Sequence, residues 1–413
     1  GQPDELALVT ITCRSHSDLS LVKEAGVPVY GRLAGGGEPR LLAGTTSETI
    51  ELLRRQGLAV TVLDPDIGGA LYYLVYPGPG HARPDWAAYG RVLFDDGAQA
   101  LLRTSTEEAG RLAEAGAELK AITFDAKPLE PAQVGAIPDV AGPDPFIQLM
   151  VAQVDSSSVY SYTGNLSGEW PVMIGGEPFT IATRYTYFGE PIQKATPYAG
   201  EHLASLGLGI EYHEWGGTTF PNVIGQLTGQ NNPEDVYIIT AHIDDRPPGD
   251  LAPGADDNAS GTTAILVAAD ILSQYQWDCT LRFALFTGEE QGLLGSAAYA
   301  QRAYSSGENI LGVLNLDMIA WNTAESSPDI DLHAESSLPA TLDMANVFSD
   351  VVSAYGLDLI PQIIENGVTA SDHASFWSYG YAAVLGIEDY YPNRHDFNPY
   401  YHTVNDRLEA LDM

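Results

Sequence analysis

The sequence contains little cysteine and no long apolar run. Two cysteines, Cys13 and Cys279, occur in 413 residues, which excludes the dense disulfide framework of small secreted domains. We expect two separate buried thiols, with a single bridge between them as the alternative. Every stretch of 18 residues contains polar side chains, so no transmembrane helix is predicted.

Positive charge is also scarce. The chain has 19 lysines and arginines against 55 aspartates and glutamates, and its formal net charge is -36. Such a charge repels the phosphates of nucleic acids and of anionic membranes, so neither is expected as a partner. The start GQPDEL lacks the basic and apolar residues of a leader. Because acidity suits salty or extracellular media, we expect a secreted or periplasmic protein whose leader has been removed, rather than a cytosolic one.

An internal repeat with an offset of 59 residues marks residues 1–130. The tripeptide YGR at 30–32 recurs at 89–91, and further identical pairs share the offset, at 42/101, 45/104, 48/107, 53/112 and 57/116. Matches at one spacing indicate a duplication. Each copy predicts two strands, a capped helix and a further strand, hence a smaller duplicated α+β domain. The domain lacks a cluster with metal-ligand spacing, which leaves the roles of prodomain, lid, chaperone and packing domain open.

A proline-rich linker at residues 131–146 separates this domain from a larger one at residues 147–413. From residue 236 onward, apolar strands such as VYIITAH, LRFALFT, ILGVLNLD and AAVLGIE alternate with helical periods. The alternation predicts an α/β fold, in which a mixed, mostly parallel sheet has helices on both faces. We expect early strands or an inserted antiparallel segment at residues 150–200.

Ligand-type side chains follow several of these predicted strands. They are His242, the pair Glu289 and Glu290, Asp317 and, in later loops, Asp372, His373 and His402. An acidic loop after the first strand adds Asp244 and Asp257. Because ligands bind at the carboxyl ends of strands in open α/β sheets, we expect these side chains to gather at one edge.

Each of these residues also has a purely structural interpretation. A histidine at a strand end is often only a satisfied polar side chain, and acidic residues favour helix N-termini. The combination at successive strand ends nevertheless favours a site for two divalent metals. One carboxylate can bridge the metals, and another must carry the proton from water to the leaving amine. Of Glu289 and Glu290, one can bind metal while the other acts as the base.

Six motifs in the second half match a known family. They are AHIDD, PGADDNASG, TGEEQGLLGS, NLDMI, SDHASFW and YHTVND. With these motifs, residues 150–413 resemble the di-zinc aminopeptidases related to bacterial leucyl aminopeptidase. Glutamate carboxypeptidase II and the non-catalytic transferrin receptor are more distant relatives. The resemblance implies the zinc exopeptidase fold for this half and does not cover the first 130 residues.

The resemblance implies two Zn2+ ions per chain and a role for each matching residue. The metal ligands would be His242, Asp257, Glu290, Asp317 and His402. Asp257 would bridge the two ions, with His242 and Asp317 on one and Glu290 and His402 on the other. Glu289 would act as the general base that takes a proton from metal-activated water, and then as the general acid that returns it. Asp244 would orient His242 through its other ring nitrogen, and Asp372 would lie near the substrate.

One position departs from the family pattern. Relatives often carry a tyrosine shortly before the SDH motif that helps to hold the oxyanion, and Val368 stands there in this chain. The resemblance therefore leaves the oxyanion partner open. Candidates from this sequence are Tyr390, Tyr391 and His373.

The expected function is an aminopeptidase acting on peptides with a free N-terminus. A carboxypeptidase or dipeptidase on the same fold is the alternative, and it would need an arginine such as Arg246, Arg394 or Arg407 near the site. A receptor-like relative without catalysis would have lost ligands, and none is lost here. Glutaminyl cyclisation belongs to single-zinc relatives, which the full set of five ligands disfavours. The oligomeric state and the preferred N-terminal residue are not predicted.

Overall fold

A computed structural model describes most of the chain. The described residues are 6–33, 40–78, 81–129, 137, 140, 142–187, 189–217, 219–323, 327–388, 390 and 396–412. The chain divides into two units, Gly1–Pro131 and Ala132–Met413. Much of the predicted linker, at residues 131–136, 138, 139 and 141, lies outside the described residues.

The first unit contains the same topology twice. Its first copy consists of β1 (Ala7–Thr12), α1 (His16–Glu24), β2 (Val29–Leu33), β3 (Arg40–Thr45), α2 (Ser47–Arg55) and β4 (Ala59–Asp64). The second copy consists of β5 (Leu71–Pro77), β6 (Arg91–Asp95), β7 (Ala100–Thr104), α3 (Thr106–Glu114) and β8 (Ala117–Ala121). The two antiparallel sheets have the orders β2-β3-β1-β4 and β6-β7-β5-β8. The repeated order agrees with a duplication, although the sequence pattern did not predict β1, α1 or β5.

Side chains that alternate along the strands build three apolar layers in this unit. Val9 and Ile11 of β1 pack with helix residues such as Leu53 in one cluster. Leu8, from the opposite face of β1, packs with Leu74 of the second sheet. Because successive strand residues point to opposite faces, each sheet covers helices on one side and the other sheet on the second side.

The second unit carries a longer series of elements. It begins with α4 (Pro145–Val151), α5 (Ser156–Leu166), β9 (Val172–Ile174), β10 (Glu177–Phe179), α6 (Glu190–Ser205), β11 (Gly209–His213) and β12 (Asn222–Leu227). It continues with β13 (Asn232–His242), α7 (Gly261–Leu272), β14 (Cys279–Phe286), α8 (Leu294–Ser305) and β15 (Asn309–Asp317). The last elements are β16 (Asp329–Ala334), α9 (Pro339–Tyr355), β17 (Ile360–Glu365), α10 (His373–Trp377) and β18 (Ala383–Ile387).

Eight of these strands form one mixed sheet with the order β11-β12-β14-β13-β15-β18-β16-β17. The four strands β14, β13, β15 and β18 run parallel at its centre. Phe283 and Leu285 of β14 pack against one set of helices, whereas Ala284 and Phe286 pack against the other. Burial on both faces explains why these strands are apolar runs. The predicted mixed, mostly parallel sheet with helices on both faces is confirmed.

The expectation of strands at residues 150–200 was wrong for most of that segment. It folds into α5 and α6, and only the short hairpin of β9 and β10 is antiparallel. The side chain of Asp155 accepts a hydrogen bond from the Ser158 N–H and so caps α5. Buried residues of α6 such as Ile192, Ala199 and Leu203 follow a helical spacing. Capping and this apolar stripe outweigh the strand preference of the tyrosines and threonines nearby.

The two cysteines lie in different units. Cys13 is buried in the first and Cys279 is half-buried in the second, and neither forms a disulfide. The prediction of two separate thiols is therefore confirmed, whereas the predicted burial holds for Cys13 and not for Cys279. Among the described residues, no helix has the length and apolar character needed to cross a bilayer.

Candidate metal centre

The carboxyl edge of the central strands brings the predicted ligands together. In the parallel register, His242 at the end of β13 lies beside Phe286 of β14. Thr287 and Gly288 follow Phe286, and Glu289 and Glu290 come directly after them. Asp317 ends β15, the other neighbour of β13. Parallel strands therefore deliver one histidine and three carboxylates to a single edge.

Asp257 lies between two histidines. Its Oδ1 is 3.3 Å from His242 Nε2, and its Oδ2 is 3.2 Å from His402 Nε2. The residue comes from an irregular turn, Ala255–Ser260, that precedes α7. One carboxylate thus faces a separate imidazole with each oxygen, which is the arrangement that a bridging ligand requires.

Each histidine also meets a carboxylate of its own. Asp317 Oδ1 lies 3.1 Å from His242 Nε2, and Glu290 Oε2 lies 3.0 Å from His402 Nε2. The structure thereby gathers all five residues that the sequence predicted as ligands. They form two donor sets that share Asp257.

The spacing and chemistry of these donors fit zinc. Ligand atoms held at 2.0–2.1 Å around a tetrahedral zinc ion lie about 3.3 Å from each other. The observed separations of 3.0–3.3 Å are close to that value. Among the described residues, the buried Oε1 of Glu290 has no hydrogen-bond partner. A buried carboxylate oxygen without a donor is expensive unless a cation occupies the space beside it.

The charges of the site are unbalanced. Burial raises the pKa of Glu290 to about 7, even though His402 opposes that rise. For His402, burial is outweighed by Glu290 and Asp257, which raise its pKa to about 10. Burial is likewise outweighed at Asp257, where hydrogen bonds with His242 and His402 lower the pKa. The imidazoles take up protons because the carboxylates need positive charge next to them.

Glu289 lies in the same group but makes different contacts. It is buried, and its carboxylate is one of three groups, with His242 and Asp317, whose ligand atoms lie within 4.8 Å of one another. Burial raises its pKa well above the ordinary value, and the charges of Glu290 and Asp372 add to this rise. A carboxylate with raised proton affinity beside metal ligands is suited to proton transfer.

Asp244 connects the end of β13 with the loop that follows β14. The Nδ1–H of His242 donates to the Asp244 backbone oxygen at 3.1 Å, and the Asp244 carboxylate lies 3.7 Å from the same nitrogen. That carboxylate also accepts hydrogen bonds from the backbone N–H groups of Glu289 and Glu290 at 3.3 and 3.4 Å. The hydroxyl of Thr186 donates to it at 2.7 Å. Asp244 therefore holds the glutamate loop as well as His242.

Sequence reasoning missed two residues that form hydrogen bonds with predicted ligands and so fix their positions. The Ser371 hydroxyl donates to Asp317 Oδ2 at 2.6 Å. The Asp406 carboxylate accepts hydrogen bonds from the N–H groups of Asp256 and Asp257 at 3.0–3.2 Å. Both residues stand in motifs that carry a ligand or its neighbour, SDH and HTVND, so their proximity to known candidates was the available signal.

A third missed residue is Arg184, whose side chain is fully buried. Its guanidinium donates to the backbone oxygens of Ile243 and Gly254 at 2.7 and 2.9 Å, and it pairs with Asp245 at 3.3 Å. It thus ties both ends of the loop between His242 and the Asp257 turn. Nothing in the local sequence distinguishes this arginine, because all of its partners are remote in the chain.

The predicted substrate residues lie in three different settings. Asp372 is buried directly before α10, where its charge acts on Glu289. His373 is also buried, its Nε2–H donates to the Val368 carbonyl oxygen at 2.8 Å, and its ring meets that of Trp377 at 4.4 Å. These contacts show that His373 holds the loop of Val368 and does not line an open surface of a substrate pocket. Tyr391 lies outside the described residues.

Comparison with known proteins adds a family match. The model of peptidase family M28 matches residues 222–413. A probable zinc metalloprotease of Pyrenophora teres f. teres is 30% identical over 204 residues, which are 41% of this chain and 42% of that protein. A probable leucine aminopeptidase of Arthroderma otae is 26% identical over 306 residues, 65% of this chain and 79% of that protein.

A further relative matches a shorter segment. A probable zinc metalloprotease of Pyrenophora tritici-repentis is 38% identical over 112 residues, 26% of this chain and 23% of that protein. This chain therefore spans less than half the length of the two zinc metalloproteases that it matches.

Solved structures show the same fold. The LapA aminopeptidase of Legionella pneumophila superposes with a TM-score of 0.62 at 16% identity, covering 83% of this chain and 93% of that one. LapB of the same organism gives a TM-score of 0.57 at 16% identity, covering 99% and 94%. The segment that matches the family model, residues 222–413, also carries the donor set at the strand ends, so this part of the chain is similar to peptidase family M28.

Proposed function

We propose that the second unit is a two-zinc aminopeptidase that removes N-terminal residues from peptides. The observation that carries the proposal is the position of Asp257, with one oxygen 3.3 Å from His242 and the other 3.2 Å from His402. A shared carboxylate between two donor sets supports a pair of bound metals, which Asp257 would hold together. Asp317 would complete the His242 set, and Glu290 the His402 set.

Zinc bound by these residues would polarise the scissile carbonyl and acidify the attacking water. Glu289 accepts the proton that the water loses as its oxygen joins the carbonyl carbon. It then donates this proton to the nitrogen, and the carbon–nitrogen bond breaks to release the shortened peptide as an amine. Burial, which raises the pKa of Glu289, keeps the protonated form accessible between the two steps.

Two features favour cleavage at the amino terminus over cleavage at the carboxyl terminus. The surplus of carboxylates around Glu290 and Asp372 suits a substrate ammonium group. Arg246 is buried, and its charge lowers the pKa of Glu290, so that it serves the site and not a substrate carboxylate. Arg407 lies 4.0 Å from Glu169, and Arg394 lies outside the described residues.

Zinc analysis and paired substrates test the proposal. We expect two zinc ions per chain, hydrolysis of leucine p-nitroanilide, and no hydrolysis of its N-acetylated form or of a peptide blocked at the amino end. A metal-replete protein that cleaves no amide, or that prefers a free carboxyl terminus, would contradict it. The charge of -36 also supports a site of action outside the cytosol, which fractionation of producing cells would check.

A further inference from the structure

Two groups of apolar side chains flank the metal centre along the sheet edge. On the side of β15 and β18, Met318 and Tyr390 pack with Phe397 and Tyr401, and the Tyr401 ring stacks on His402 with 3.6 Å between centroids. On the opposite side, β14 is followed in the sheet by β12. Trp215 and Phe220, from the loop before β12, contact Thr287 and Gly288, the two residues before Glu289.

The second group, here named the aromatic wall, consists of Trp215, Phe220, Tyr187 and Tyr185. The ring centroids of Trp215 and Phe220 are 5.8 Å apart, and so are those of Phe220 and Tyr187. Tyr185 meets Tyr187 at 6.4 Å. Tyr187 is 47% exposed, so solvent reaches part of its side chain.

The wall is fixed to the loop that carries Glu289. The Trp215 Nε1–H donates to the Thr287 hydroxyl at 2.9 Å. A Cβ built on Gly288 would lie 2.7 Å from the Trp215 ring, so the indole packs directly against the backbone before Glu289. From the other segment, Thr186 lies between the two wall tyrosines, accepts from the Gly288 N–H at 3.2 Å and donates to Asp244.

The proton transfer from Glu289 to the leaving nitrogen indicates which substrate residue lies near the aromatic wall. Glu289 must hand its proton to the leaving nitrogen, so the residue after the scissile bond has to lie on the Glu289 side of the metals. Along the sheet edge that side continues from β14 to β12 and the aromatic wall. Packed rings stabilise apolar and aromatic ligand groups by burial and edge-to-face contact.

We propose that the aromatic wall binds the side chain of the second substrate residue and prefers an apolar or aromatic group there. The proposal rests on the proposed aminopeptidase function and extends it to the leaving part of the peptide. The wall residues are subsite residues, and they take no part in the bond-making steps.

Dipeptides that differ only at the second position test the subsite. With the zinc-loaded full chain, kcat/KM is measured for Leu-Phe and Leu-Gly. We expect Tyr187→Ala and Phe220→Ala each to lower the Leu-Phe to Leu-Gly ratio by about tenfold, because an apolar pocket contact has that order of effect. Rates on Leu-Gly should fall less than rates on Leu-Phe, and Tyr187→Phe, which keeps the ring, should lower the ratio less than Tyr187→Ala.

Tyr304→Ala is the matched control, since Tyr304 is 41% exposed on α8 and its ring meets that of Tyr379 at 5.4 Å. An unchanged ratio in both wall variants, or an equal fall in the control, would overturn the subsite while leaving the aminopeptidase intact. A wild-type enzyme that cleaves Leu-Gly as fast as Leu-Phe would overturn it as well. If the zinc-loaded wild type cleaves neither dipeptide, the proposed function fails and the subsite fails with it.

Discussion

The two units bury carboxylates in opposite ways. In the first unit, Asp64 is 1% exposed, and it accepts hydrogen bonds from Arg103 at 2.8 Å and from the Tyr72 hydroxyl at 3.1 Å. Although burial alone would raise the pKa of Asp64, these partners lower it. In the second unit, the carboxylates of the metal centre crowd together around two imidazoles, and the pKa of Glu290 rises to about 7.

The difference separates a structural carboxylate from a functional one. A buried charge with a cation and a hydroxyl beside it is satisfied by the protein itself. A buried group of acids with too few cations costs stability, and it persists where a bound cation supplies the missing charge. The second unit therefore carries an electrostatic defect that zinc would correct, and the first unit carries none of this kind among its described residues. Three experiments test this contrast.

The largest expected effect is on turnover. Glu289→Gln removes the proton carrier while keeping the size of the side chain, so we expect kcat on leucine p-nitroanilide to fall by about 10²–10⁴-fold. Zinc content should stay at the wild-type level, because the two histidines and their carboxylates are untouched. Steady-state kinetics and metal analysis of the same sample measure both quantities.

Glu308→Gln serves as the control, because Glu308 pairs with Arg282 and Tyr299 binds the same arginine, away from the metal centre. Its kcat should match that of the wild type. Wild-type turnover by Glu289→Gln would show that another group carries the proton.

An intermediate effect is expected on metal affinity. Asp406 lies four residues after His402 and accepts hydrogen bonds from the N–H groups of Asp256 and Asp257, so it holds Asp257 against the loop of His402. Asp406→Asn replaces one acceptor oxygen by an NH2 group facing those donors. We expect zinc affinity to fall by about 10–100-fold, as for other residues that orient ligands.

Competition with a chelator measures the affinity, and Asp270→Asn is the control. Asp270 also binds partners through its carboxylate, Tyr162 at 2.8 Å and His202 at 2.9 Å, and neither of them belongs to the candidate metal centre. If both variants release zinc at the same chelator concentration, Asp406 has no special role in positioning Asp257.

The smallest expected effect is on thermal stability as pH changes. In the metal-free chain, His402 has a raised pKa of about 10. Its protonated ring therefore stabilises the fold fully below about pH 6.5, and this stabilisation is lost as pH rises through 10. Burial disfavours the charged form of Glu290 and raises its pKa from 4.5 to about 7. The free energy of unfolding therefore also falls as pH rises from about 4.5 to about 7. We expect the second unit to lose about 4 °C or more between pH 5 and pH 10.

The first unit should respond in the opposite direction. The lowered pKa of Asp64 gives a contribution that is present above the ordinary value of 3.8 and is lost as pH falls through the folded value. Calorimetry with and without zinc measures both units, and Asp64→Asn identifies the transition of the first. A metal-free second unit whose midpoint rises with pH, or zinc-loaded protein with the same slope, would contradict the electrostatic contrast.

Much of the candidate site could be predicted because its residues stand at the ends of apolar strands. His242, Asp317 and the glutamate pair follow runs whose parallel pairing is the usual outcome for buried β-strands joined by helices. Arg184 and Asp406 could not be found this way, since their partners are backbone groups far away in the chain. The duplicated topology of the first unit was visible as an offset of 59 residues, whereas β1 and β5 lacked a matching signal.

By itself the sequence determined the sheet class, the duplication and the set of metal-type side chains, because strand periodicity and residue chemistry are local properties. Only the tertiary structure decided which atoms meet: that Asp257 faces a different histidine with each oxygen, that Asp244 binds both His242 and the glutamate loop, and that Trp215 packs against Gly288, directly before Glu289. These outcomes depend on strand order and on contacts between remote residues, and burial then sets a charge balance that favours a bound cation at this edge.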